Sequence, residues 1–221
     1  MDLINYFILP EGIVQGNDDV FCYIPINERF LSIYYSRAML PPLEVSSYFY
    51  RYIPRLYGLM DLFVPEALDR NFDPQPLIRS GISFVQKEPL NLTGRNVVLG
   101  FADTGIDYRN PVFRREDGST RILAIWDQSV QTGTPPDGLI YGSEYTREQI
   151  NEALRLDNPL ELVPVTDDIG HGTAMASAAA GSALNGGIDF LGAAPDADIV
   201  VVKLKQAKQF LRDYYMTPVS Y

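Results

Sequence analysis

From Asn91 onward the chain alternates apolar runs with polar, glycine-bearing breaks, and the spacing predicts strands and helices in turn. Asn96-Val-Val-Leu-Gly-Phe-Ala102 is one apolar run, the pattern of a strand buried on both faces, and Asn91-Leu-Thr-Gly-Arg95 before it reads as a turn. Thr120-Arg-Ile-Leu-Ala-Ile-Trp-Asp127 predicts a second strand and Asp198-Ile-Val-Val-Val-Lys-Leu204 a third. Between them a polar loop from Gly133 to Gly142 leads into Thr146-Arg-Glu-Gln149, a capping box in which the Thr hydroxyl and the Gln amide satisfy backbone N–H groups at a helix start. Ile150, Ala153 and Leu154 then fall on one helical face. Another helix is expected to begin near His171, because Ala174-Met-Ala-Ser-Ala-Ala-Ala180 is dense in small helix formers, and so slim a surface suits close approach to a sheet. Gly186-Gly187 interrupts before the third strand. Strand, helix, strand with apolar strands predicts an α/β fold, a mostly parallel sheet flanked by helices.

Upstream the texture differs. Residues 1–60 alternate short apolar runs with polar breaks and are rich in tyrosine, as in Ser47-Tyr-Phe-Tyr-Arg-Tyr52, which predicts short strands and turns. Residues 61–89 hold Pro65, Pro74, Pro76 and Pro89 and read as a connecting stretch, leaving residues 90–221 as the α/β region. At 221 residues with 46% hydrophobic and 21% charged positions, the chain has room for one α/β domain and a smaller N-terminal module. A net charge of −10 argues against a nucleic-acid partner, which requires clustered Lys and Arg. The single cysteine, Cys22, excludes an intrachain disulfide. No stretch approaches the roughly 20 apolar residues of a membrane span, and the start MDLINYFILPEG lacks the basic opening of a secretory signal, so neither membrane insertion nor export is expected.

Two residues stand out chemically. Asp103 directly follows the first apolar run, and in an open α/β sheet functional groups gather at the carboxyl ends of strands. An Asp before Thr104-Gly105 is also ordinary turn chemistry. His171, the only histidine, lies in Asp167-Asp-Ile-Gly-His-Gly-Thr-Ala-Met-Ala-Ser177 at the expected helix start. Imidazole is the side chain best suited to take and return a proton near neutral pH, and glycines on both sides let it face a cleft. Asp167 and Asp168 form a pair of acids before the helix, read as a solvated loop with calcium ligation as the alternative; no motif calls for a metal or other cofactor.

Asp-Thr-Gly-Ile-Asp after an apolar strand, followed by Gly-His-Gly-Thr opening a small-residue helix, resembles the subtilisin-like serine proteases, the subtilases (peptidase family S8). Leu92-Thr-Gly-Arg-Asn-Val97 and Gly192-Ala-Ala-Pro-Asp-Ala-Asp-Ile199 resemble the corresponding family segments in the same order, so the likeness covers about residues 90–205. Asp103-Thr-Gly-Ile-Asp-Tyr-Arg-Asn-Pro-Val-Phe113, Ile125-Trp-Asp-Gln128, Tyr145-Thr-Arg-Glu-Gln-Ile-Asn-Glu-Ala153 and Val201-Val-Lys-Leu-Lys205 look like the clostridial germination-protease (Csp-type) branch, whose members act on a cortex-hydrolase zymogen in spores. The resemblance implies a three-layer subtilisin-like fold, incomplete at its C-terminal side, and proteolysis of protein or peptide substrates in the cytoplasm or the spore. It implies that His171 is the general base and that Asp103 holds its imidazole in the right tautomer. The family's His-Gly-Thr-His is here His171-Gly-Thr-Ala174; the replaced histidine is not the base, so the mechanism survives. Residues 1–60 fit the length of a family prosegment or of an extension packed on the catalytic domain.

A nucleophile is missing. No Gly-Thr-Ser-x-Ala segment occurs: Gly118-Ser-Thr120 has the wrong order, and Ser177 and Ser182 lie in or near the expected His-bearing helix. After Lys205 the sequence shows no glycine-rich substrate-binding strand, and the family's oxyanion-hole Asn is likewise absent. Without a nucleophile Asp and His have nothing to activate, so this chain alone is expected to be inactive, as a truncated product, as half of a split enzyme completed by a C-terminal fragment, or as a pseudoprotease. Two rivals stay in view: a non-catalytic sensing or binding protein on the same scaffold, and an aspartic protease, in which Asp103-Thr-Gly would pair with a second copy. A nucleotide-binding fold is excluded, because Ala-Asp-Thr-Gly rather than Gly-x-Gly-x-x-Gly follows the first strand.

Overall fold

In a computed structural model the chain divides into two compact units, one of Met1–Asp61 with Ala207–Tyr221, the other of Leu62–Gln206. The structure describes residues 75–182 and 191–206, and as backbone strands alone Leu3–Pro10 (β1), Cys22–Pro25 (β2), Phe30–Ser36 (β3), Leu56–Tyr57 (β4) and Met216–Thr217. In the first unit β3 is the centre of an antiparallel sheet, pairing with β1 and β2, while β4 pairs in parallel with Met216–Thr217. The tyrosine-rich stretch Ser47–Tyr52 and Gly186-Gly187 lie outside the described residues.

In the second unit, helices α1 (Gln75–Arg79) and α2 (Ile82–Val85) lie within the proline-bearing stretch read as a connection. The sheet that follows has the order β5 (Val98–Asp103), β8 (Asp198–Lys203), β6 (Ile122–Asp127), β7 (Ser143–Thr146). β5, β8 and β6 run parallel and β7 is antiparallel to β6, so the sheet is mixed and mostly parallel. Three parallel strands and an α-helix on β5 rule out the all-β hairpin architecture that the aspartic-protease reading requires. β7 was not expected: it runs from the end of the predicted loop into the first residue of the capping box, and four residues are too few to show a period. The capping box itself is formed, with Thr146 Oγ1 accepting from the Gln149 amide and Gln149 Oε1 from the Thr146 amide, and it starts α3 (Arg147–Ala153).

The core is built from β-branched and aromatic side chains of β5, β6 and β8 and of the segments between them: Ile106, Tyr108, Phe113, Ile125, Val163, Ile199 and Val201 are buried. α4 (His171–Ala180) places Gly172, Ala176 and Ala180 against this core, four residues apart and hence on one face. Leu99 and Phe101 of β5 point into the core, but Val98, Gly100 and Ala102 are exposed, Val98 at 53%. The expectation that this strand is buried on both faces is therefore corrected: among the described residues a layer covers one face of β5 and none covers the other. Its run is continuously apolar, yet alternates in exposure.

The two flanking segments that resembled the family meet in space. Thr93 Oγ1 donates to Asp196 Oδ2 at 2.6 Å and the Asp196 amide donates to Thr93 O at 2.9 Å, so the turn before β5 is tied to the turn before β8. Arg121, 2% exposed, immediately precedes β6 and donates to the carbonyls of Ala197, Val112 and Ala180, the last at the C-terminal end of α4. Burial lowers its guanidinium to about 10.

Replacing Thr146 with Ala removes the cap of α3 and is expected to destabilise the chain by about 1 kcal/mol in urea unfolding, with the m-value unchanged. An unchanged midpoint would show that α3 is held by packing alone.

Candidate active site

Asp103 ends β5 and His171 begins α4, 68 residues apart in sequence and in contact in space. His171 Nδ1 lies 2.8 Å from Asp103 Oδ1 and 2.9 Å from Oδ2. Both side chains are 14% exposed, sheltered but open to approach. An ionised carboxylate only accepts, so Nδ1 carries the hydrogen and the neutral ring keeps an unprotonated Nε2. Among the described residues nothing hydrogen-bonds Nε2.

The local backbone explains the proximity. Gly170 has φ +84°, a left-handed turn that aims the chain into α4, and it provides no side-chain cap. Gly172 in the first turn lies directly over the turn that leaves β5: a Cβ there would stand 2.2 Å from Gly105 O and 3.1 Å from Asp103 Cβ. Only a residue without a side chain permits this approach, and it sets His171 beside Asp103. On the other side, Thr104 N donates to Asp103 Oδ1 at 2.7 Å, and Leu204 N to Asp103 O at 2.8 Å, which fixes the strand end.

A family model of the subtilases matches residues 94–217. The chain belongs to the subtilase family. Among solved structures it is similar to the Clostridium perfringens CspB protease, at 34% identity and a TM-score of 0.53 over 61% of this chain, and it spans 26% of that protein's chain. This agrees with the Csp-type features in the Asp103–Phe113, Ile125–Gln128 and Tyr145–Ala153 segments. A search of the curated proteins finds no match.

Of the three candidate serines in this subtilase chain, two are held by other hydrogen bonds and the third is buried. Ser177 Oγ donates to Thr173 O within α4 at 2.7 Å, Ser119 is held by Asp117, and Ser182 is buried. No described serine bonds to His171.

Other groups gather at the carboxyl edge of the sheet that sequence reading did not single out. Lys203 stands in register with Asp103 on one side and Asp127 on the other. Its Nζ lies 3.8 Å from the fully buried Asp127 and donates to Thr166 O at 2.6 Å. Its ammonium is thus within ion-pair distance of the Asp127 carboxylate and also anchors the loop ahead of His171. Asp167, expected in a solvated loop or as a calcium ligand, is half-buried, and each of its oxygens accepts two hydrogen bonds; Asp168 is exposed as expected. Burial pushes the Asp167 carboxyl up, but hydrogen bonds from Thr173 and Thr104 and from the Thr173 and Gly170 amides outweigh it and hold it below the usual range. Among the described residues no group of three His, Cys, Asp or Glu could hold a metal ion, and no helix is long and apolar enough to cross a membrane.

Gly172→Ala tests the close approach. The added methyl must push α4 off the Gly105 carbonyl, and a loss of about 1–3 kcal/mol in urea unfolding is expected; an unchanged midpoint would contradict the contact.

Proposed function

We propose that this chain carries the acid and base of a serine-type endopeptidase, with Asp103 orienting His171 and with the nucleophilic serine supplied by a segment outside residues 1–221. The observation that carries the reading is the contact of His171 Nδ1 with both Asp103 oxygens, which leaves Nε2 as the free proton acceptor. In the reaction, Nε2 takes the serine hydroxyl proton as the oxygen bonds to the peptide carbonyl carbon, and Asp103 stabilises the imidazolium that forms. The proton then passes to the leaving amine as the C–N bond breaks, and water releases the acyl group by the same route. The substrate is a protein or peptide. The intact, preorganised Asp–His pair weighs against a pseudoprotease whose machinery has decayed. Residues 1–60 take the part of an N-terminal prosegment or extension in this reading.

Two measurements test it. A fluorophosphonate probe is expected to label no serine of the purified 221-residue chain; labelling at any of its serines would overturn the assignment of the nucleophile. In the polypeptide or complex that also holds the serine, Asp103→Asn is expected to lower kcat by about four powers of ten with little change in KM. Full activity in that variant would remove Asp103 from the mechanism.

A further inference from the structure

Helix α4 has no cap of its own at Gly170, yet its first turn is the part that must be held still if His171 is to stay on Asp103. Its orphan amides are satisfied from elsewhere. Gly170 N donates to Asp167 Oδ1 at 3.0 Å, Thr173 N to Asp167 Oδ2 at 2.8 Å, and Gly172 N to Thr104 Oγ1 at 3.0 Å. Thr104 is the residue after Asp103, and its hydroxyl donates in turn to Asp167 Oδ1 at 2.7 Å. On the far side the Thr173 hydroxyl donates to Asp167 Oδ2 at 2.7 Å while accepting from the Asp107 amide at 2.9 Å. One carboxylate thus takes four hydrogen bonds, two from the start of the His171 helix and two from hydroxyls that grip the turn leaving Asp103. A negative charge also suits the N-terminal end of a helix. Lys203 fixes the carbonyl of Thr166 immediately before it, so the carboxylate is itself held from the sheet.

We infer that Asp167 is the positioning residue of the site: it clamps the turn after β5 to the first turn of α4 and so holds the Asp103–His171 hydrogen bond in place without touching either side chain. The inference rests on the proposed role of that pair. Distinguishing it from a merely structural anchor requires a signal from His171, and because the chain has one histidine, ¹⁵N labelling of histidine gives an imidazole spectrum that needs no assignment. In the unsubstituted chain, once the pH is high enough for the imidazole to be neutral, the spectrum should show a far-downfield Nδ1 proton and an unprotonated Nε2. Asp168→Asn, which removes the same charge from the exposed neighbour, should leave that spectrum unchanged. Asp167→Ala should abolish the downfield proton and give a mixture of tautomers while the backbone amide spectrum stays dispersed. Thr104→Val, which keeps the shape but cuts one arm of the clamp, should give the same loss and decides the matter if Asp167→Ala does not fold. A folded Asp167→Ala or Thr104→Val chain that keeps the downfield proton would overturn the inference alone. Absence of that proton from the unsubstituted chain would overturn the proposed pairing, and the inference with it.

Discussion

The site depends on a contact of backbone against backbone. The first turn of α4 rests on the carbonyl of Gly105, so near that a methyl group at Gly172 would lie 2.2 Å from that oxygen. Side chains could not carry out this function, since any of them would hold the helix several tenths of an ångström or more away. The small residues along the buried face of α4, Gly172, Ala176 and Ala180, extend the same close approach along the core. The seating of α4 is thus a steric consequence of composition, and the contact of a histidine at its first position with an aspartate at the end of β5 follows from it.

Hydrogen bonds then remove the freedom that packing leaves. Asp103 is fixed by the Thr104 amide, α4 by Asp167 and Thr104, and the Asp167 loop by Lys203. In the neutral histidine this arrangement dictates the tautomer, because a carboxylate on Nδ1 can only accept. Asp103, Lys203 and Asp127 stand in register along the carboxyl edge of three parallel strands, and the lysine pairs with the buried Asp127. For the role proposed for this pair, such an arrangement is preorganisation: the groups are held in place in advance, so none need be reorganised during reaction.

What was legible in the sequence follows what is local. The capping box at Thr146, the strand ends at Asp103 and Asp127, and the start of α4 at His171 are written in neighbouring residues, and all are found where the pattern put them. The motif Asp103-Thr-Gly with Gly-His-Gly-Thr was enough to indicate the subtilase family. The burial of β5 was misread because an apolar run reports the character of a strand but not whether a second layer covers it. β7 was missed because four residues show no period. Asp167 was misjudged for a deeper reason: one of its partners, Thr104, lies 63 residues away, and only the fold brings it near. Conversely, the Asp-Tyr-Arg-Asn-Pro-Val-Phe segment gains a plain structural meaning. Tyr108 and Phe113 are core residues, the Tyr108 hydroxyl donates to Val163 O at 3.0 Å, and Asn110 caps the turn at Pro111. Burial pushes the Tyr108 phenol up to about 12, so it remains a neutral donor.

The central claim is that this subtilase chain holds His171 on Asp103 through Nδ1. The most direct measurement is the proton spectrum of the unsubstituted chain near neutral pH compared with that of Asp103→Ala. The account predicts one far-downfield imidazole proton that is lost in Asp103→Ala. A spectrum without that resonance, or one in which it persists after Asp103 is replaced, would contradict it.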